Sequence, residues 1–227
     1  MLLPLKDENP TASLPLLTIL IIVINVLIFF YQQSLSGTEA QRFILKWGAV
    51  PYQIVHGEII HVPLSIPTPL TIFSSMFLHG GFWHLGGNML YLWIFGNNIE
   101  DALGHARFLI FYFLTGAVAA LTQIFSDPSS ALPMVGASGA VSGILGAYLL
   151  LYPGARILTL LFLFPFLRLI HLPAILVLGF WFFFQLLGLS LGQISNVAFA
   201  AHIGGFISGL LLVKILTPLK PRRRRYW

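Results

Sequence analysis

The stretch that decides the fold is MVGASGAVSGILGAYLLLY, residues 134–152. It carries no charge and is long enough to cross a hydrocarbon core of roughly 30 Å. Near its start lies Gly136-Ala137-Ser138-Gly139. A serine between glycines at a helix start is common and means little alone. Two other apolar runs carry polar groups near their starts, His84-Leu85-Gly86-Gly87-Asn88 and Ala201-His202-Ile203-Gly204-Gly205. Whether these groups meet decides what the chain can do.

The composition sets the solvent. The chain is 57% hydrophobic and 8% charged, where a soluble domain carries about 25% charged residues. Such a surface needs lipid as a partner. The net charge of +5 is concentrated in Arg222 to Arg225, a block that reads as a headgroup anchor rather than a nucleic-acid site. With no cysteine, disulfides, thiol catalysis and cysteine-ligated metals are excluded.

Five further apolar runs flank the first. Span one is Leu14 to Tyr31, a retained helix rather than a cleaved signal, because its core is long and no cleavage site is clear. Span two is approximately Trp83 to Ile99, span three Phe108 to Phe125, span four Met134 to Tyr152, span five Leu172 to Leu189 and span six Val197 to Leu216. Residues 1–13 form a polar leader, 14–216 the membrane domain and 217–227 a basic tail. Gln32 to Leu70, broken by Pro51, Pro63, Pro67 and Pro69, reads as a large loop lying partly in the membrane interface. Glu100 to Arg107 reads as a short polar turn. Arg156 to Pro173, interrupted by Pro165, Arg168 and His171, reads as an interfacial connection rather than a seventh span. The expected fold is an all-α polytopic membrane protein of six helices.

Six spans put both termini on one side. With the N-terminus inside, ten of the twelve basic residues lie inside and only Arg42 and Lys46 outside. The positive-inside rule therefore places both termini in the cytoplasm. Spans two, four and six then descend from the outer face, and Asn88, Ser138 and His202 each lie roughly 6 to 9 Å below it. Polar groups inside spans are costly and face a protein interior or water-filled cavity. His84 and Asn88, four apart, share a helix face. Gly139 and Gly143 on span four, and Gly205 and Gly209 on span six, permit close backbone approach in lipid.

A serine hydroxyl needs a base to become a nucleophile, and His202 is the candidate. Glu100 and Asp101 lie at the opposite face and Asp127 in an outer loop, so no carboxylate orients the ring. The expectation is a Ser138–His202 dyad with the imidazole held by packing. Asn88, the His84 ring N–H and the Ser138 backbone N–H are the candidate oxyanion donors.

These motifs resemble those of the rhomboid intramembrane serine proteases. Gly136-Ala137-Ser138-Gly139 is similar to their nucleophile motif, Ala201-His202-x-x-Gly205-x-x-x-Gly209 to their histidine helix, and His84-x-x-x-Asn88, preceded by His79, to their oxyanion pair. The resemblance covers about residues 68 to 216. It implies a six-helix bundle, cleavage of single-pass transmembrane proteins through an acyl-enzyme, no metal, no cofactor, and lateral substrate entry past span five. It also implies a loop-supporting or water-conducting role for His79 and a structural role for Glu100. The aromatic cluster Phe180 to Phe184 fits a lipid-facing gate or ordinary lipid contact.

Two features depart from the family. Pro69 to Phe77 lacks the Trp-Arg pair many members carry, and Ser142 stands where many place an aromatic that stacks on the histidine. The competing readings are a client-binding relative without activity, against which both Ser138 and His202 stand, and a small transporter, against which the lack of a central carboxylate and of repeated halves stands. A metalloprotease would want His-Glu-x-x-His, which is missing. The leader is not Arg- and Ser-rich, which favours a cell membrane over a mitochondrial one. Substrate identity and oligomeric state are not written in the sequence.

Overall fold

A computed structural model describes residues 2–163, 166–191 and 197–218. The elements run β1 (Leu2–Asp7), α1 (Leu16–Ser34), α2 (Gly37–Trp47), α3 (Pro51–His56), α4 (Thr71–Ser74), α5 (Phe82–Leu103), α6 (His105–Ser126), α7 (Ser138–Leu151), β2 (Arg156–Leu163), β3 (Phe166–Pro173), α8 (Ala174–Ser190) and α9 (Phe199–Leu216). The long helices α1 and α5 to α9 follow the six apolar runs in order. Three of them, α1, α6 and α9, are long and apolar enough to cross a membrane, whereas α7 and α8 are shorter. Large apolar side chains point outward along the bundle, among them Leu27, Ile110, Phe125, Phe184 and Ile215. This is the surface of a protein solvated by lipid.

Close backbone contact holds α7 to its neighbours. A Cβ on Gly205 would collide with the Gly139 carbonyl, and one on Gly209 with the Gly143 carbonyl. One on Gly146 would strike the Phe206 carbonyl. On its other side α7 meets α6, where Gly139 packs on Ala119 and Gly143 on Thr115. In lipid, where apolar burial gives helices little reason to associate, such packing supplies the attraction. The bulky core lies lower, around Phe95, Phe108, Tyr112 and Tyr148, with Phe95 and Tyr148 edge-to-face at 4.9 Å.

The structure amends the sequence reading in several places. The fold is not all-α: β1, β2 and β3 form an antiparallel sheet in that order. Part of the leader, expected as a short polar segment, is its edge strand, with Leu3 opposite Leu160 and an irregularity between Pro4 and Lys6. An edge strand and a break in register are where a strand tolerates proline. The connection from Arg156 to Pro173 is a β-hairpin, Ile157 facing Leu172 and Thr159 facing Ile170. Its leucine-rich sequence has no period that separates strand from helix. The polar turn from Glu100 to Arg107 shrinks to Gly104, whose φ of 77° lets α5 and α6 meet with one residue between them. The basic block Arg222 to Arg225 lies outside the described residues.

Buried carboxyls organise the sheet end of the bundle. Glu100, fully buried, accepts from the Leu17 N–H at 2.9 Å, the Thr18 N–H at 2.7 Å and the Thr18 hydroxyl at 2.7 Å, and pairs with His105. It thereby satisfies first-turn donors of α1 that have no partner within the helix. Asp7 accepts from Asn98 Nδ2 at 2.7 Å and the Tyr148 hydroxyl at 3.0 Å, tying the sheet to α5 and α7. Burial pushes the Asp7 carboxyl above its ordinary range, against the lowering effect of these hydrogen bonds.

Candidate active site

Ser138 is the first residue of α7, not about four residues into a longer span as the sequence suggested. Two contacts and one backbone angle keep the preceding residues out of the helix. Met134 pairs with Ala49 of the first loop (N···O 2.7 and 3.2 Å), the Gly136 N–H donates to Ser75 O at 2.9 Å, and Gly136 has φ 125°. A residue with a Cβ would be strained there, and that Cβ would stand 2.7 Å from His84 Nε2. As a first helical residue, Ser138 keeps a backbone N–H with no i−4 carbonyl to bond.

A cavity of about 950 Å³ opens here. Its walls carry Ser138, His202, His84, Asn88 and Gly136, and so draw on α5, α7 and α9 at their N-terminal ends. Among the described lining residues there is no Asp, Glu, Lys or Arg. Asn88 is buried, and its Nδ2 has no hydrogen-bond partner, although a Cβ on Gly136 would lie only 3.7 Å from it. A buried amide donor without a partner is expensive and wants an explanation. His84 Nδ1 accepts from the Gly80 N–H at 3.3 Å. A nitrogen that accepts carries no proton, so neutral His84 bears its proton on Nε2, the nitrogen beside Gly136.

His202 is half-buried on α9, and its Nδ1 lies 2.8 Å from Gln185 Oε1 on α8. The Trp181 ring, one turn earlier on α8, lies 5.8 Å from the imidazole and stacks in turn on Phe206. The ring is therefore hydrogen-bonded as well as packed, which corrects the sequence expectation. Trp181 provides an aromatic where Ser142 does not, while the Ser142 hydroxyl donates to Ser138 O at 2.6 Å. Among the described residues no hydrogen bond joins the Ser138 hydroxyl to His202; the two share the cavity, and the Gly139–Gly205 contact fixes their helices beside it.

His79 is buried, with neither ring nitrogen partnered, edge-on to His84 at 5.1 Å. Its backbone is gripped at both ends by Gln32 of α1, which accepts from the His79 N–H at 3.2 Å and donates to its carbonyl at 3.3 Å. With the Ala49–Met134 bridge and the Tyr52 N–H on Ser130 O at 3.0 Å, this clamp holds the first loop, where the Trp-Arg pair is missing. Sequence reading passed over Gln32, Gln123 and Gln185. The signal was present: each is an amide at or inside an apolar run, where polar groups need a reason. Gln123 accepts from the Ala201 N–H at 3.2 Å, next to the histidine. Among Phe180 to Phe184, Phe180, Phe183 and Phe184 face outward, while Trp181 and Phe182 turn toward α9.

Comparison with known proteins matches residues 67–219 to the Rhomboid domain family model. The chain is 34% identical over 156 residues to Rhomboid protein 1, mitochondrial, of Saccharomyces cerevisiae, covering 64% of this chain and 41% of that protein. It is 30% identical over 207 residues to the Rhomboid protease GluP of Bacillus subtilis, covering 89% of this chain and 35% of that protein. It is 30% identical over 153 residues to the putative rhomboid protease YdcA of the same organism, covering 67% and 69%. The chain thus spans less than half the length of the first two.

Proposed function

The chain belongs to the rhomboid family, and from that premise we propose that it is an intramembrane serine endopeptidase working by a Ser138–His202 dyad. The six long helices all cross the bilayer, both termini lie in the cytoplasm, and the cavity opens toward the outer face. The membrane is a cell membrane. Substrates are single-pass transmembrane segments that enter laterally past α8. No metal or cofactor takes part.

In the reaction His202 takes the proton of the Ser138 hydroxyl as its oxygen attacks a peptide carbonyl. The oxyanion forms beside Asn88 Nδ2, His84 Nε2–H and the Ser138 N–H, as a tetrahedral intermediate requires. His202 then gives its proton to the leaving amine, which departs and leaves an acyl-enzyme on Ser138. Water, deprotonated by the same ring, releases the acyl group and restores the hydroxyl. The N-terminal ends of α5, α7 and α9 converge on the site, and their partial positive charge favours an anion where, among the described residues, no Lys or Arg lines the cavity. Gly136 leaves the space that the oxyanion occupies. His79 supports the loop over the site through Gln32.

The observation that supports this reading is Asn88 Nδ2: a buried donor with no partner among the described residues, lining a cavity that also holds a serine and a histidine. A fluorophosphonate probe tests it. The intact chain in detergent or liposomes is expected to be labelled, and Ser138→Ala is not. Labelling that persists in Ser138→Ala places the nucleophile elsewhere; a parent chain that resists labelling and cleaves no transmembrane substrate is the inactive relative.

A further inference from the structure

A neutral imidazole carries one proton, on either ring nitrogen, and only the bare nitrogen can act as a base. In soluble serine hydrolases a carboxylate behind the histidine makes that choice. Among the described residues no carboxylate lines this cavity. Gln185 stands behind the ring instead, and its own orientation is determined. Its Nε2 lies 3.1 Å from the Trp181 carbonyl oxygen, one turn back on α8. A carbonyl accepts and never donates, so the NH₂ end of the amide faces Trp181 and the oxygen end faces His202. That oxygen, 2.8 Å from Nδ1, can only accept. Nδ1 therefore bears the proton, and Nε2 is left bare.

We propose that Gln185 is a positioning residue for the reaction: its amide holds His202 in the tautomer whose Nε2 can accept the Ser138 proton. This rests on reading His202 as the base. A hydrogen-bonded orienting partner fixes a ring's tautomer and angle in the way an outer-shell partner fixes a metal-bound histidine. A neutral amide does this without the desolvation cost that an ionised carboxylate meets inside a membrane protein. The backbone geometry of α8 links the two contacts to His202: Trp181 and Gln185 are four apart and share a helix face, so one helix brings both the aromatic wall and the acceptor. The two histidines of the cavity thus hold opposite forms. His84 presents a donor through Nε2, and His202 presents an acceptor.

The test reads the tautomer directly. In the full-length chain labelled with ¹⁵N-histidine, and with His202 assigned by substitution, neutral His202 is expected to show a protonated Nδ1 and a bare Nε2. Gln185→Leu, close in size and tolerated by lipid, is expected to lose that preference and to lower kcat by ~10-fold or more, with KM little changed. Gln185→Glu keeps an acceptor. It is expected to keep the tautomer, recover most of kcat, and move the acidic limb of the kcat/KM profile to higher pH, because a carboxylate favours the imidazolium. The groups facing His202 that bear on that limb are His84 from α5, Ser138 from α7, and Trp181 and Gln185 from α8; from α6, Gln123 bonds the backbone one residue away. A parent protein with the proton on Nε2 overturns the proposal, as does Gln185→Leu with parental kcat and tautomer. Equal losses in the Leu and Glu variants with the tautomer unchanged overturn it too, by showing packing alone. Fluorophosphonate labelling of the parent keeps the two readings apart. A parent that is neither labelled nor able to cleave a transmembrane substrate ends the dyad, whereas the nitrogen signals still report whether Gln185 holds the ring.

Discussion

The two ends of the bundle bury polar groups in opposite ways. At the sheet end, Glu100 has its partners at Leu17, Thr18 and His105, and Asp7 has its partners at Asn98 and Tyr148. At the serine end, Asn88 Nδ2 and both nitrogens of His79 are buried without a partner among the described residues. A satisfied buried network stabilises, while an unsatisfied donor costs roughly 1–3 kcal/mol. Asn25 Oδ1 and the Tyr112 hydroxyl in the bundle core are also buried without a partner among the described residues, but of these open groups only Asn88 Nδ2 lines the cavity. Asn88 Nδ2 is the open donor that a charge in the cavity would complete.

The largest expected effect is a crossed one. His202→Ala is expected to cut substrate cleavage to below ~10⁻³ of the parent rate while leaving the thermal midpoint near its parent value. Glu100→Ala is expected to do the reverse: it strips the first turn of α1 of its acceptor and destabilises by roughly 2–4 kcal/mol, with cleavage per folded molecule retained. Melting curves beside turnover of a model transmembrane substrate check both. Two ends that lose stability and activity together break the comparison.

Asn88→Ala sharpens it with a smaller effect. Because Nδ2 bonds nothing among the described residues, its removal is expected to lower kcat by up to ~10²-fold, with KM nearly unchanged and the thermal midpoint not lowered. A loss confined to KM removes Asn88 from the oxyanion site. The smallest effect belongs to Asp7. Its carboxyl is raised in the fold above the ordinary 3.8, so the folded state holds the proton more tightly than the unfolded chain. The contribution of this group is therefore full below about pH 4 and is lost as pH rises through the raised value. Asp7→Asn keeps the hydrogen-bonding shape and is expected to flatten that decline. Thermal midpoints measured between pH 4 and 7 read the difference. A variant that follows the parent slope places the pH dependence elsewhere.

Much of the bundle was legible in the sequence because lipid imposes simple rules. A run without charge that is long enough to span is hard to mistake, and α1, α5, α6, α7, α8 and α9 fall on the six runs within a few residues at each end. The sheet was not legible. Its strands lie about 150 residues apart in the chain, at Leu2–Asp7 and Arg156–Leu163, and pairing over that distance leaves no local signal. Gln185 was missed because its role is a relation between two helices: a glutamine on α8 becomes meaningful only when His202 of α9 stands beside it.

By itself the sequence determined that this chain lives in lipid, which residue types were available for catalysis, and which glycines let α7 and α9 touch. The solvent demands the first, chemistry limits the second, and the third follows from the absence of a Cβ. Only the tertiary structure decided that Ser138 begins its helix, because a bridge from Met134 to Ala49 and a bond from Gly136 to Ser75 hold the preceding residues out of it. It also decided what faces Nδ1 of His84 and of His202, the Gly80 N–H in one case and the Gln185 amide in the other, because a proton's place on an imidazole depends on the groups that folding brings to the ring.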